Sequence, residues 1–176
     1  MASFVERMLG AAKLDVHTYE EVEADATATP QAMAVVLISS IAAGIGGIRL
    51  GIWGLIWMAL ASLISWVLWA ALVWLIGTKL LPEPETQSNV GELLRTTGFS
   101  SSPGVLRVLG VIPLIGAILQ FLIAIWMLVA MIIAVRQALD YKSTARAVGV
   151  CLIGWLISMV VLWLLMPAGM ITGTTI

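Results

Sequence analysis

The chain has 176 residues, 61% of them hydrophobic and only 11% charged, with a formal net charge of −1. A soluble domain is about 45–50% apolar and about 25% charged, so this composition excludes an ordinary water-soluble globule and points to an integral membrane protein. The charge balance offers no electrostatic footprint for nucleic acid, and the single cysteine, Cys151, excludes an internal disulfide.

The first 29 residues hold six acids and no continuous apolar core, which argues against secretory or transit targeting. "SFVE" reads as a capping box, with Ser3 as N-cap and Glu6 reaching back. Phe4, Val5, Met8 and Leu9 then form an apolar stripe, with Glu6, Arg7 and Lys13 off it. Such a helix either lies on a membrane surface or packs on its own protein. Asp15 is the candidate cap of a second helix. Its acids Glu20, Glu21, Glu23 and Asp25 form either a solvated face or a divalent-cation ligand set, though their spacing matches no defined calcium loop.

The first long apolar run begins at Thr29 and Pro30, a cap followed by a proline where a missing N–H costs nothing. Small residues follow: Ser39, Ala43, Gly47 and Gly51 recur every fourth position, with Gly44 beside them. Spacing of this kind lets a neighbouring helix approach closely. The second run, 52–77, carries Trp53, Trp57 and Trp74 near its ends, as interfacial anchors should lie. Trp66 and Trp69 fall mid-span, where they pack or contact a lipid, pigment or quinone. "KLLPEPETQSNV" is a loop.

Residues 91–116 carry Arg95, Arg107, three consecutive serines and two prolines. Asn89 with Glu92 marks a helix start, and a helix from Val90 to about Ile112 is long enough to cross. Two more spans follow, at about Leu114 to Val135 and about Thr144 to Met166, with Pro167 ending the last. Counting five spans with the N-terminus inside places Arg7, Lys13, Lys79, Arg95, Arg136, Lys142 and Arg146 in the cytoplasm and only Arg49 and Arg107 outside. Four spans would move the last three cytoplasmic residues out and split the nine cations five to four. Cytoplasmic loops are enriched in Lys and Arg, which favours five. Arg95 then snorkels to the inner interface and Arg107 to the outer headgroups. Thr96, Ser100, Gly104 and Arg107 share a face directed into the bundle, and the carbonyl that Pro103 frees at Phe99 needs a nearby hydroxyl.

The expectation is an all-α integral membrane protein. A cytoplasmic helical segment over 1–29 precedes five transmembrane helices over 30–166 and a short external tail over 167–176. Enzyme motifs are missing: no phosphate loop, no H-E-x-x-H, no G-x-S-x-G, one histidine (His17), and no acid within the cores of the proposed spans. Gln120 is the strongest polar group of the fourth span and reads as an interhelical hydrogen bond. No catalytic residue, cofactor or metal is assigned.

The order of parts resembles the Yip1 domain family of five-span membrane proteins. "LLRTTGFSSSPGVLRVLGVIPLIG" is similar to that family's third span, with Gly98, Phe99 and Pro103 as its Gly-aromatic pair and proline. "VRQALDYKSTARAVGV" resembles the segment joining its fourth and fifth spans. "TYEEVEADATATPQAM" resembles the acidic helix leading into the first span of bacterial members. The resemblance implies a bacterial inner-membrane, multi-pass protein, and the charge split places its N-terminus in the cytoplasm and its C-terminus outside. The resemblance also implies a non-enzymatic role, scaffolding partners or organising the membrane through lipids and a membrane-protein partner or a second copy. An accessory subunit of a larger complex, and a channel or carrier for a small or lipophilic solute, are the alternatives. Gly98, Phe99, Pro103, Arg107, Gly44, Gly47, Gly51, Trp66 and Trp69 are the candidate structural or interaction residues.

Overall fold

A computed structural model describes residues 2–47 and 51–165, all helix and connecting turn among the described residues. The expectations for Arg49 and for the tail 167–176 lie outside them, as does the environment of Gly47. Helix α1 (Phe4–Ala12) opens on the capping box, with Ser3 Oγ accepting from Glu6 N at 3.3 Å and Ser3 N donating to Glu6 at 2.7 Å. A turn with Leu14 at positive φ folds it back onto α2 (Val16–Ala24), capped by Asp15. The next helix is capped earlier than the Thr29–Pro30 reading placed it. Asp25 accepts from Thr27 N, a single 3-10 turn follows, and α3 (Thr29–Gly47) continues from it. Helix α4 (Ile52–Leu75) ends in a π turn, Ile76–Leu80. Tyr141 secures that turn, its hydroxyl lying 2.9 Å from the Gly77 carbonyl and 2.7 Å from that of Leu81.

The expected single helix over 90–112 is not formed. Asn89 and Glu92 do cap α5 (Val90–Phe99), but the helix stops there and a 3-10 helix, Ser102–Val111, takes over with Pro103 in its first turn. Proline cannot donate to an i−4 carbonyl and its ring crowds that turn, so the α-helix ends just ahead of it. The Phe99 carbonyl accepts from the Ser102 hydroxyl at 2.6 Å instead. Helices α6 (Gly116–Ala138) and α7 (Thr144–Leu165) complete the chain. Among the described residues four helical stretches are long and apolar enough to cross a membrane: Ala26–Gly46, Ile52–Leu80, Gly116–Ala138 and Thr144–Val161.

Packing fixes the direction of the broken segment. Gly98 lies against Ala32, Gly104 against Ser39 and Met127, and Gly110 against the backbone of Gly46. The pair α5 and 3-10 helix therefore runs alongside α3 in the same sense. Helix α6 returns antiparallel to both, with Met131 beside Ser100 and Gln120 beside Arg107. Among the small residues that meet this neighbour are Ser39, which belongs to the every-fourth stripe, and Gly46, which does not. Among the described residues Gly51 has nothing near it, and Gly44 faces Leu55 and Met58 of α4.

Candidate functional site

The broken segment lies at the centre of the bundle, and its buried polar side chains are satisfied within the protein. Thr96, Thr97 and Ser100 are buried, as are Gly98, Phe99, Pro103 and Gly104. Thr96 and Thr97 turn their hydroxyls back onto carbonyls of their own helix, and Ser100 bonds the Thr97 carbonyl at 2.7 Å. Trp66 Nε1 donates to Thr97 Oγ1 at 3.2 Å and its ring edge lies against Gly98. That contact explains the glycine: a side chain there would run into Ala32 and the indole together. Phe99 is fully buried in one core with Tyr19, Val22, Ala32, Val35 and Trp66.

Both arginines of the segment depart from the snorkelling expectation. Arg95 is only 8% exposed, and its guanidinium donates to the carbonyls of Val22 and Glu23. These are orphan carbonyls at the end of α2, where a cation also meets the negative end of the helix dipole. Arg107 is half-buried. Its Nε donates to Gln120 Oε1 at 3.2 Å, and Gln120 Nε2 donates back to the Arg107 carbonyl at 2.7 Å. Gln120 thus makes the interhelical bond expected of it.

A third arginine was missed. Arg7, read as lying off the apolar stripe, is 2% exposed. It contacts Glu21 at 3.0 Å and Asp25 at 2.7 Å and donates to Gln31 at 3.2 Å. These contacts tie α1, α2 and the start of α3 into one unit. The hydrogen bond from Arg7 holds the Glu21 carboxyl below its usual range, and Thr27 with Arg7 does the same for Asp25. Two of the four acids considered as cation ligands are consumed this way, and among the described residues no metal-ligand cluster forms. Of the apolar stripe, Phe4 and Met8 pack on the core while Val5 and Leu9 stay exposed. Ala12 at the end of α1 accepts from Trp126 Nε1 of α6 at 2.7 Å.

Glu23 sits where α2, α5 and the α6–α7 turn meet. Burial pushes its carboxyl up to about 7, helped by the Asp140, Glu92 and Glu20 carboxylates and opposed by Arg95. The same end holds the loop ion pairs Lys142–Glu85 and Arg146–Glu83.

On the other side of the serine break is a cavity of ≈ 550 Å³ between α6 and α7, with an almost wholly apolar lining. Trp69, Ser101, Met127, Met131, Leu152 and Trp155 bound it. Trp69 Nε1 is the one buried side-chain polar atom without a partner among the described residues. Cys151 also contributes to the wall and is a free thiol, while His17 is exposed on the N-terminal hairpin.

The Yip1 domain model matches residues 19–166, which is most of the chain. The chain belongs to the Yip1 domain family. No curated protein and no solved structure matches it. This Yip1 chain is a multi-pass membrane protein: its apolar helices present Ile, Leu, Val and Trp side chains outward, and only lipid accommodates such a surface. The match begins within α2 and takes in the acidic lead-in, the broken segment and all four long helices.

Proposed function

We propose that this Yip1-family protein is a non-enzymatic scaffold of five membrane crossings, with its N-terminal hairpin and the 82–92 and 139–143 loops on the cytoplasmic side of a bacterial inner membrane. The observation that carries the fifth crossing is the side-by-side course of α5 and the 3-10 helix along α3, from Gly98 at Ala32 to Gly110 at Gly46. At about 1.5 Å per α-helical residue and about 2.0 Å per 3-10 residue the two pieces would extend about 35 Å, against a hydrocarbon core of about 30 Å. Its irregular backbone is tolerated at that depth because protein surrounds it. In this arrangement the exposed Val5 and Leu9 of α1 face lipid.

A scaffold is favoured over a carrier because the centre is closed. The arginines of the segment are spent on backbone carbonyls and on Gln120, and the buried hydroxyls of Thr96, Thr97, Ser100 and Ser102 on nearby carbonyls, so among the described residues no chain of free polar groups leads across. The regions left for partners are the lipid-facing helices and the charged loop end. Reporter fusions test the topology. A periplasmic-active reporter after Ile176 and a cytoplasm-active one between Pro82 and Glu85 should both be active, and both reporters on one side would eliminate five crossings. Gentle-detergent purification with mass spectrometry tests the role. A stoichiometric membrane partner or a homo-oligomer supports scaffolding, and solute movement by the isolated protein in liposomes would replace it with a carrier.

A further inference from the structure

The cavity between α6 and α7 is shaped by three features of the chain. Gly154 lets α7 touch the Trp69 ring, which forms the inner wall. Beyond that contact the outer half of α7 leaves the bundle, exposing Trp155, Leu156, Val160, Val161, Trp163 and Leu164. The floor is the α5 break, where Ser100 and Ser102 turn their hydroxyls onto the carbonyls of Thr97 and Phe99. Ser101, between them, makes no such bond and lines the cavity.

We propose that this cavity binds a molecule drawn from the bilayer that has an extended hydrocarbon body and one carbonyl oxygen. The volume falls within the range of about 300–1,000 Å³ usual for small-ligand sites. The lining selects a hydrocarbon body, and the two methionines, Met127 and Met131, adapt to its shape. The floor selects the oxygen. The Ser101 hydroxyl, with no hydrogen bond among the described residues, meets an otherwise almost wholly apolar lining, and a ligand acceptor would pair with it there. The open side lies between two lipid-facing rims, Leu128 and Leu152, so the ligand enters laterally rather than from water. An acyl-ester lipid and a lipoquinone share this chemistry.

The test uses the full chain in phosphatidylcholine nanodiscs, photolabelled in two arms. One arm carries a diazirine on the phosphatidylcholine acyl chain, and the other a diazirine-bearing quinone with a ten-carbon tail. In one arm the 124–132 and 148–155 segments should label more strongly than the exposed reference positions Phe121 and Val160, and that arm names the source. Ala124→Phe or Val148→Phe, each filling the cavity, should reduce the excess to the reference level. Ser101→Ala should weaken labelling about 2- to 10-fold, the worth of one hydrogen bond. Reference labelling retained in the variants reports that they remain folded in the bilayer, independently of the crossing number. Labelling of the two segments at reference level in both arms overturns the site, as does excess labelling that the filling variants and Ser101→Ala all leave unchanged.

Discussion

The two ends of the bundle are built by different rules. At the end bearing the N-terminal hairpin and the 82–92 and 139–143 loops, the chain packs like a soluble protein. Both buried cores lie there, one around Val73, Ile76, Leu93, Leu139 and Val150, the other around Tyr19, Val22, Val35 and Phe99. Buried arginines, capping boxes and loop ion pairs bind the pieces together. At the opposite end the first turns of α4 and the outer half of α7 expose apolar side chains, with Trp53 at 73% and Leu164 at 67%. What holds that end is backbone touching backbone, Gly46 on Arg107 and Gly110 on Gly116, with the Arg107–Gln120 pair beside them. Where water is absent the hydrophobic effect cannot drive helices together, and close approach of small residues replaces it.

The largest effect should come from the glycine contact. A Cβ at Gly46 would collide with the Arg107 carbonyl, a backbone atom that cannot rotate away, so Gly46→Leu should destabilise by more than the about 1–3 kcal/mol of ordinary overpacking. Thermal melting in a fixed detergent should show loss of the folded transition. A variant melting with the parent would mean that the 3-10 helix does not lie on α3, and the backbone-to-backbone account of that end would fail.

At the other end, Arg7→Met should cost about 2–3 kcal/mol. Removing one partner from a buried pair costs about 3–5 kcal/mol, and the figure is lower here because Glu21 is 28% exposed and can recover water. The hairpin should loosen first, so limited proteolysis should cut between Ala12 and Val16 before the membrane helices unfold. Cleavage no faster than in the parent would show that Phe4, Met8 and Tyr19 hold the hairpin without the ion pairs.

These two positions also mark what was legible in the chain. The apolar runs and both capping boxes could be read because each is a local pattern. Arg7 could not, because its partners are brought to it only when α1 folds back on α2, and nothing in the stripe signals that hairpin. The every-fourth stripe leaves the contact face after Ser39 for a geometric reason. Steps of four advance about 40° around a helix and spiral off one face, whereas steps of seven drift only about 20°. Ala32, Ser39 and Gly46 follow the second rule and meet Gly98, Gly104 and Arg107 in turn. The break at Ser100 was hidden because Pro103 is compatible with a kinked span as well as with a stop. Of the site, Gly98, Phe99 and Trp66 do come together, while the cavity at Trp69 depends on the splay of α6 and α7, which no local pattern encodes.

A smaller effect sharpens the contrast in pH. Glu23 has its carboxyl raised to about 7 by burial and by Asp140, Glu92 and Glu20 around it, against the pull of Arg95. The folded chain therefore keeps this proton between the unfolded value of 4.5 and about 7, where the unfolded chain has lost it. Its contribution is largest below that window and is lost as pH rises through about 7. The group is partly open to solvent, so screening reduces the effect to about 1 kcal/mol. Melting temperature should fall from pH 6 to pH 8 in the parent, and Glu23→Gln should flatten that slope. An unchanged slope in the variant would assign the pH response to another group, with Asp140 next in line because burial raises its carboxyl too.

The smallest effect should be at Gly51, which the every-fourth pattern placed on the same footing as the contact glycines. Among the described residues no atom approaches a Cβ built there, and its φ of −61° suits any residue. Gly51→Ala narrows the unfolded ensemble, which stabilises by about 0.4–1 kcal/mol. It also puts alanine at the N-cap of α4, where glycine is the better residue, and this offsets much of the gain. The net change should stay within about 0.5 kcal/mol, a melting temperature indistinguishable from the parent beside the collapse expected of Gly46→Leu. A loss at Gly51 approaching that at Gly46 would mean that another chain lies against the start of α4, and the outer end would then be held by protein rather than by glycine contacts and lipid.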